Sequence, residues 1–534
     1  MLAPGVPQMP YKPQPFDYEP VTRRGAGPNE VPQEDDERFT VARQPVSSAQ
    51  AAASADDWLR PESKLHQTAS EEAATLPDAA ESNLAPSRTR TAKRQSWVLR
   101  RGHTLSFIGL FLFTLVLYFR PYEMFPALAG YRSIAYWIAV LTLLVFIPTQ
   151  LGLEGTLTAR PREVNLLLLL TLAAFLSVPL AIDRAEAWYN FTEFGKVVVM
   201  FIVMVNVMRT ERRLKILLFL ALAVGCVVSI SAINDYRLGR FVDAGQRIKG
   251  IIGGMFENSN DLAMHLVMMT PIAIALFFSV RSIIKKAFFG ACAALMIAGN
   301  LVTFSRGGLL GLVAALCVLL WKLGRRHRLL VFVVALSLAF SLIVFMPGVM
   351  VERLASIFDP SAEESAGASA ISRRALLFRS LLVMARHPLF GIGIGNFHAV
   401  SIREQVSHNS YTQVGAEVGV AAMLLYIMLI LTAFKRARGV EKETLAAEHH
   451  SRFYYLAAGL QASLIGYMIC SFFSSVAFHY SIYYLVGYVI CLHRVHETSQ
   501  QQHSNANRPI EAEKRTKQDS GSARNWRMPV GEAS

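Results

Sequence analysis

The stretch LKILLFLALAVGCVVSISAIN, residues 214–234, decides the fold class. It contains 21 residues and a single charged side chain, Lys215. A helix of roughly 20 apolar residues is long enough to cross the hydrocarbon core of a bilayer, which is about 30 Å thick. The sequence therefore predicts a transmembrane helix at this position.

Similar apolar runs fill most of the chain. Of its 534 residues, 53% are hydrophobic and only 17% are charged, a balance too apolar for a soluble protein of this size. Twelve runs have the length and composition of spans: 103–119, 132–151, 164–182, 194–208, 214–234, 260–280, 286–303, 306–323, 328–347, 412–434, 454–476 and 478–494. Two closely spaced pairs, 286–303/306–323 and 454–476/478–494, are interpreted as helical hairpins rather than single long segments. The predicted fold is all-α: a polytopic membrane protein with about 12 transmembrane helices.

The basic residues predict the orientation of these helices. Lysines and arginines of short loops collect on the cytoplasmic side of membrane proteins, and here they occur in every alternate loop. The cytoplasmic positions are Arg160, Arg162, Arg209, Arg212, Arg213, Lys215, Arg281, Lys285, Lys286, Arg325, Arg326, Arg328, Lys435, Arg436 and Arg438. Both termini are therefore predicted to be cytoplasmic. This topology accounts for the net charge of +14 without a nucleic-acid partner.

The composition divides the chain into three regions. Residues 1–95 are rich in Pro, Ala, Ser, Glu and Asp and are predicted to be a disordered cytoplasmic tail. Residues 103–494 form the predicted membrane domain, in which 348–411 is a large periplasmic loop between spans 9 and 10. Residues 495–534 are predicted to be a second disordered cytoplasmic tail. A loop as long as 348–411 is usually functional.

Arg306 lies on the face where the charge rule does not place arginines, in the turn Ser305-Arg306-Gly307-Gly308. An arginine that contacts lipid head groups is one explanation. The alternative is an anion site, in which the guanidinium binds phosphate and the two glycines let backbone N–H groups approach it.

Arg247 is a second basic residue on this face, and Lys249 beside it makes a cationic patch suited to phosphate. The segment that follows contains Asn258, Asn260 and Asp261 directly before an apolar run. These polar residues could cap the next helix, or they could bind substrate with Arg247.

His408 lies in Ser407-His408-Asn409-Ser410-Tyr411, just before the tenth predicted span. An imidazole at the membrane surface titrates near neutral pH and can act as a general base, although helix capping by Asn409 and its neighbours is an alternative.

Other charged residues of the outer face fit simpler roles. Arg373 and Arg374 lie on a predicted helix, Ser372–Arg386, of the long loop, where they either line a substrate groove or belong to a solvated helix face. His265 and His479 are expected to be packing or interfacial residues.

No phosphate-binding Gly-Lys-Ser/Thr loop, zinc-binding His-Glu-x-x-His helix or paired outer-loop aspartates occur. The sequence therefore predicts no metal site and no cofactor.

Taken together, these motifs resemble the O-antigen ligase and polysaccharide polymerase superfamily of bacterial envelope glycosyltransferases. The resemblance is carried by Arg247 before Asn260, by Ser305-Arg306-Gly307-Gly308, and by the run His387–Gly393 followed by His408–Tyr411, Glu417 and Gly419. The stretch Tyr118–Glu123 is similar to the family's first outer loop.

The resemblance implies a multi-pass protein of the bacterial inner membrane whose active site faces the periplasm. It implies an inverting, metal-independent transfer of a glycan from undecaprenyl diphosphate to an acceptor hydroxyl in lipopolysaccharide or other polysaccharide assembly. Arg247 and Arg306 would bind the diphosphate, His408 would act as base, and Asn260, Asn409, Arg373 and Arg374 would assist binding. The expected partners are the lipid-linked donor, a lipid or glycan acceptor and membrane lipids.

Three other functions stay open at this stage. A repeat-unit polymerase would use the same arginines and histidine as a ligase, and a protein O-oligosaccharyltransferase would differ only in its acceptor. A transporter of lipid-linked glycan is a different class, which predicts charges deep within the spans.

Overall fold

The computed structural model describes residues 87–124, 133–241, 258–324, 364–401, 405–446 and 452–523, with six isolated positions (128, 130, 248, 256, 329 and 333). Within these ranges the chain is helical, with no strand. The helices are α1 Ser87–Phe119, α2 Pro121–Met124, α3 Ile134–Glu154, α4 Arg162–Ser177, α5 Arg184–Val207, α6 Glu211–Arg237, α7 Ser259–Ser279, α8 Ile283–Val302, α9 Arg306–Gly324, α10 Glu364–Arg386, α11 Phe397–Val400, α12 Ser410–Glu417, α13 Val420–Ala446, α14 Arg452–Cys470 and α15 Tyr480–Ala523.

Eight of these helices are long and apolar enough to cross a membrane: α3, α5, α6, α7, α8, α9, α13 and α14. They confirm the multi-span all-α class. Three further predicted spans coincide with the apolar part of α1 from 103 to 119, with the 16-residue α4, and with the first part of α15. Of the predicted span 328–347 only Leu329 and Val333 are described, and all of 348–363 lies outside the described residues. The count of 12 and the position of the long loop stay predictions.

Several boundaries differ from the predicted ones. The region 183–193, expected to be a loop, begins helix α5, and the side chain of Asp183 caps it by accepting hydrogen bonds from Ala185 N and Glu186 N. Its polar first turns concealed this helix from a search for apolar runs. Likewise α14 ends at Cys470 rather than 476, and α15 continues to Ala523 through most of the tail predicted to be disordered. Within this tail, the run Gln500–Gln502 and the Glu, Ala and Lys residues of 511–517 favour helix although the stretch has no apolar run.

Helices α7 and α14 form the centre of the described part. In their most apolar windows 78% and 83% of the residues are buried, against 17% in α3, so these two helices are enclosed by other helices. Glycines allow close contact: a Cβ on Gly466 would lie 2.5 Å from Val267 Cγ1, and one on Gly459 would lie 2.6 Å from Ala275 Cβ. Such small residues are typical of tightly packed membrane helices.

Buried ion pairs join the helices near the ends predicted to be cytoplasmic. Lys322 of α9 lies 2.5 Å from Glu441 of α13, and Gln461 of α14 donates to the same carboxylate at 2.9 Å. Arg436 binds both oxygens of Glu163 at 2.7 and 2.8 Å, which links α13 to α4. Bidentate pairs of this kind fix both the distance and the rotation of two helices.

The segment His387–Asn396 packs against the junction of α12 and α13. The backbone N–H groups of Ile392 and Gly393 donate to the carbonyls of Ala416 and Glu417, at 3.0 and 2.9 Å. Val420 N donates back to Pro388 O at 2.8 Å. The predicted tenth span, 412–434, is therefore two helices that meet at Gly419, and only α13 has the length of a span.

Glycine is required at this junction. Gly419 has φ +109°, a conformation that L side chains rarely adopt, and a Cβ there would lie 2.3 Å from Leu389 O. Gly391 and Gly393 have φ values of +64° and +100° and equally crowded surroundings.

Glu417 is buried beneath the same segment. Its carboxylate accepts hydrogen bonds from Gly395 N at 3.0 Å and from Gln413 Nε2 at 3.4 Å. Burial raises the pKa of Glu417 from 4.5 to about 7, although the hydrogen bonds from Gly395, Phe397 and Gln413 act in the opposite direction.

The junction gives a first prediction. Gly419→Ala should lower the stability of the purified protein by about 1–3 kcal/mol, because the new Cβ is forced into a strained backbone and against a carbonyl. Thermal unfolding followed by circular dichroism measures the change. Gly439→Ala is the control, since Gly439 lies inside α13 with no atom within 4 Å of an added Cβ. Equal melting temperatures for the two variants would contradict the prediction.

Glu417 gives a second prediction, on pH dependence. Because the folded protein binds this proton more tightly than the unfolded chain, the protein should lose stability as the pH rises from about 4.5 to about 7. Glu417→Gln should remove that component, so the difference in melting temperature between variant and wild type should grow in favour of the variant from pH 5 to pH 8. A difference independent of pH would refute it.

Candidate functional site

Arg306 is the first residue of α9 and is half-buried at the turn that follows α8. The hydroxyl of Ser305 accepts a hydrogen bond from Gly308 N at 3.1 Å and so caps α9. It also donates to Asn260 Oδ1 at 2.7 Å. The turn that carries Arg306 is thereby fixed to the first residues of α7.

Gly307 and Gly308 both lie in close contact with other parts of the chain. A Cβ on Gly307 would lie 3.0 Å from the side chain of Phe473, and one on Gly308 would lie 2.5 Å from Ala263 Cβ. Both glycines are buried, and the N–H of Gly308 is bonded to Ser305. Both glycines therefore serve the close packing of α9, and an approach of an anion to the backbone at Gly307 stays a prediction.

His408 lies in the segment 407–411, which connects to α12. Asn409 caps α12, because its side-chain oxygen accepts from Tyr411 N and Thr412 N at 3.0 and 3.1 Å. The hydroxyl of Ser407 donates to Asn409 O at 3.0 Å. His408 itself is half-buried, with φ +50°.

Residues 471–479, the α14–α15 connector, hold this segment in place. Ser410 N donates to Ser471 O at 2.9 Å, and Ser410 Oγ donates to Ser474 O at 2.7 Å. Val476 N donates to Ser410 Oγ at 3.0 Å. The His408 segment is therefore bonded on one side to the start of α12 and on the other to the connector.

The connector also contacts the start of α7 and the start of α9. Ser474 Oγ donates to Asp261 Oδ1 at 2.9 Å, and Phe473 packs on Gly307. Asp261 also interacts electrostatically with His479. The three sequence motifs that contain Asn260, Arg306 and His408 thus converge on one short segment.

A cavity of about 360 Å³ opens beside the connector. It lies between the end of α1, the first half of α5, α12 and the connector, and its polar lining residues are Arg120, Asn190, Glu193, Gly395, Gln413, Ser475 and His479. Ser475 joins the cavity to the His408 segment, because its hydroxyl lies 3.0 Å from that of Ser407. Cavities of this size and mixed lining are typical of small-ligand sites.

Backbone conformation singles out the same region. Among the described non-glycine residues only Arg120, Phe304 and His408 have positive φ values, at +40°, +53° and +50°. Arg120 lines the cavity, Phe304 lies in the turn before Arg306, and His408 is the predicted base. Such conformations cluster at functional sites, where the surrounding structure enforces them.

The other predicted site arginines lie either outside the described residues or away from the cavity. Arg247 lies outside the described residues. Arg373 and Arg374 lie on α10, which packs on α12 through Leu376 and Val383. Neither of these arginines lines the cavity, and neither do Arg306 and His408, which lie beside the connector. Arg374 is exposed. Their substrate-binding role stays a prediction.

Asn260 and Asn409, the two asparagines expected to bind substrate, accept hydrogen bonds from other residues of the protein. Asn258, not Asn260, caps α7, while Asn260 accepts the bond from Ser305. Asn409 is buried and acts as a helix cap. Contact of Asn260 or Asn409 with substrate stays a prediction.

Sequence reasoning missed most of the cavity. Asn190 and Glu193 lie between two predicted spans, and His479, expected to be a packing or interfacial residue, lines the cavity. His265, by contrast, is confirmed as a packing residue: its ring lies 5.6 and 5.1 Å from those of Tyr118 and Phe256. Within the described residues no group of three or more His, Cys, Asp or Glu side chains is arranged to hold a metal ion.

Comparison with known proteins gives two similarities. Over the whole chain no curated protein matches. A chain from a solved structure, described as "Structural coordination of polymerization and crosslinking by a peptidoglycan synthase complex", is 13% identical, with a TM-score of 0.37, and the match covers 62% of this chain and 97% of that one. Residues 291–427 match the family described as O-antigen ligase. That range contains both the Arg306 turn and the His408 segment, and it confirms the resemblance seen in the sequence. The chain therefore contains a region similar to the O-antigen ligase family, within a set of helices that are long and apolar enough to span a membrane.

Proposed function

We propose that this protein is a membrane glycosyltransferase that moves a glycan from undecaprenyl diphosphate to an acceptor hydroxyl in cell-surface polysaccharide assembly. The observation that carries the proposal is the convergence of the Arg306 turn, the His408 segment and a polar cavity on the α14–α15 connector. The O-antigen ligase match over 291–427 supports the same class of reaction.

In this proposal Arg306 and Arg247 bind the diphosphate of the donor. Guanidinium groups pair with phosphate oxygens through two parallel hydrogen bonds and keep their charge at every physiological pH. As the glycosidic bond breaks, negative charge accumulates on the leaving diphosphate, and fixed cations stabilise that charge without reorganising. The reaction then proceeds without a metal ion.

His408 acts as the general base that takes the proton from the acceptor hydroxyl. Hydrogen bonds of Ser407, Asn409 and Ser410 hold the backbone on either side of His408, so the point from which the imidazole projects is set before substrate binds. The deprotonated oxygen attacks the anomeric carbon opposite to the leaving group. A single displacement of this kind inverts the configuration at that carbon.

The cavity binds the sugar nearest to the diphosphate. Sugar hydroxyls both donate and accept hydrogen bonds, and the lining offers carboxylate, amide and hydroxyl groups from Glu193, Asn190, Gln413 and Ser475. Filling the cavity with sugar excludes water, which would otherwise compete as the acceptor.

The proposed location follows from the charge pattern of the loops. The site faces the periplasm of the bacterial inner membrane, both termini are cytoplasmic, and the apolar helices contact the polyprenyl chain. The acceptor is a lipid or a growing glycan, so ligase and polymerase differ only in what occupies the acceptor position.

The third prediction tests the base. His408→Asn should reduce glycan transfer by about 10²–10⁴-fold while preserving the fold, because asparagine tolerates the left-handed backbone but cannot accept the proton at neutral pH. Transfer is measured with purified protein, undecaprenyl-diphosphate glycan and candidate acceptors in the presence of a chelator. The control His387→Ala removes an exposed histidine of the same loop region and should transfer normally.

Activity of His408→Asn close to the wild-type rate would eliminate His408 as base. Loss of wild-type activity on chelation, restored by a divalent metal, would overturn the metal-independent mechanism. A ladder of products would assign polymerase activity, and a single addition would assign ligase activity.

The fourth prediction tests the cationic clamp. Arg306→Ala and Arg247→Ala should each lower kcat by about 10²–10³-fold, the loss seen when one preorganised charge-stabilising group is removed. Arg386→Ala is the control, since Arg386 is an exposed arginine at the end of α10. If Arg306→Ala raised KM alone and left kcat intact, Arg306 would bind the ground state only and the proposed role in the transition state would fail.

A further inference from the structure

A second, larger cavity lies far from the candidate site. It is a groove of about 1200 Å³ between α6 and α8, with the end of α7 as its floor. The candidate site lies at the first turn of α7 and the end of α8, whereas the groove lies at the end of α7 and the start of α8. Along α7, about 20 residues separate Asn260 from Arg281 at the rim of the groove, so with a rise of 1.5 Å per residue the rim lies about 30 Å from the candidate site, the thickness of the hydrocarbon core.

The walls of this groove are apolar and exposed. Phe219 of α6 stacks on Phe289 of α8, with ring centroids 5.8 Å apart and an angle of 14° between the planes. Beside this pair, Ile284 and Phe288 are 83% and 59% exposed. Ala223 is also exposed on the α6 wall. The groove therefore presents an apolar surface of a length suited to a hydrocarbon chain.

Four cations rim one end of the groove: Lys215, Arg281, Lys285 and Arg452. Glu211 pairs with two of them, at 2.7 Å from Lys215 and 2.8 Å from Arg452. Arg281 and Lys285 are exposed, and no carboxylate occurs among the described residues that line the groove. The rim therefore carries a net positive charge at the end where the helices are predicted to meet the cytoplasmic surface.

We propose that this groove binds an anionic glycerophospholipid, with an acyl chain against the walls formed by α6 and α8 and the phosphate at the basic rim. Basic pockets between membrane helices on the cytoplasmic side bind acidic head groups in this way. A zwitterionic lipid would place its own cation among these four side chains, and a free phosphate would leave the apolar walls unused. The occupant is therefore a lipid with a net negative charge.

The site is separate from the proposed chemistry, because its rim lies at the opposite ends of α7 and α8. A bound lipid would connect α6 with α8 across the groove and so stabilise the helices that carry the Arg306 turn. Ligands that bind only the folded protein raise its melting temperature according to their concentration and affinity.

The fifth prediction uses the purified full-length protein in neutral detergent, titrated with phosphatidylglycerol, phosphatidylcholine or inorganic phosphate. Binding is measured by native mass spectrometry and by thermal unfolding. Wild type should bind phosphatidylglycerol at least about tenfold more tightly than phosphatidylcholine, and inorganic phosphate should neither bind measurably nor compete.

Two variants test the two halves of the site. The double variant Arg281→Gln/Lys285→Gln should bind phosphatidylglycerol about tenfold more weakly than wild type and so lose the preference for this lipid over phosphatidylcholine. Ala223→Trp should fill the apolar wall and weaken both lipids while leaving the rim intact. Lys435→Gln is the matched control, since Lys435 is an exposed cation of α13 on the same predicted face but outside the groove.

Unchanged phosphatidylglycerol binding in the double variant would overturn the proposal, and so would competition by inorganic phosphate or equal affinity of wild type for the two lipids. Elution as a single species and a wild-type circular dichroism spectrum verify that each variant is folded. Glycan transfer is not part of the readout, so failure of this proposal would leave the proposed function untouched, and the reverse also holds.

Discussion

Ser410 makes three hydrogen bonds to the α14–α15 connector, and the arrangement of the site depends on them. Its N–H and hydroxyl donate to carbonyls of the connector, and its hydroxyl accepts from Val476 N. A buried backbone group without a partner costs about as much as a lost hydrogen bond, so the first residue of α12 and the connector satisfy each other. His408 precedes Ser410 by two residues, and Phe473 of the connector packs on Gly307. The connector therefore positions both the His408 segment and the Arg306 turn.

The two ends of the helices use different kinds of polar contact. Near the ends predicted to be cytoplasmic, full charges pair across helices, as between Lys322 and Glu441. At the candidate site many of the described links between elements are hydroxyl and backbone hydrogen bonds, and the carboxylates of Asp261 and Glu417 also take part. Hydroxyl and backbone bonds of this kind hold a loop in place without adding charge to it.

Much of the fold was predictable because the membrane imposes a simple rule on sequence. Apolar runs such as 214–234 match helices closely, since a span must be both long and apolar. The rule fails where a helix begins outside the apolar run, as α5 does at Arg184, and where one run bends, as at Gly419. The first turns of α5 have no hydrophobic pattern to reveal them. At Gly419 the sequence shows only a glycine inside an apolar run, and it does not show that the carbonyl of Leu389 lies against that glycine.

The candidate site was predictable only in its sequence motifs. Arg306 and His408 stood out because charge and polarity there depart from the membrane pattern. The cavity did not stand out, because its wall combines Arg120, Glu193, Gln413 and His479 from four separate parts of the chain, each with an ordinary local explanation.

What brings these parts together is packing between distant residues. Ile182 N donates to Ile392 O at 3.1 Å, and Asp183 N donates to Asn396 Oδ1 at 2.6 Å. These two bonds join the start of α5, with Glu193 two turns further on, to the glycine-containing segment that covers Glu417. The segment can follow this path only with positive φ at Gly391, Gly393 and Gly395. The three glycines therefore act on the site indirectly: they set the path of the backbone that forms the wall between α5 and α12, and that wall encloses the space in which we place the sugar.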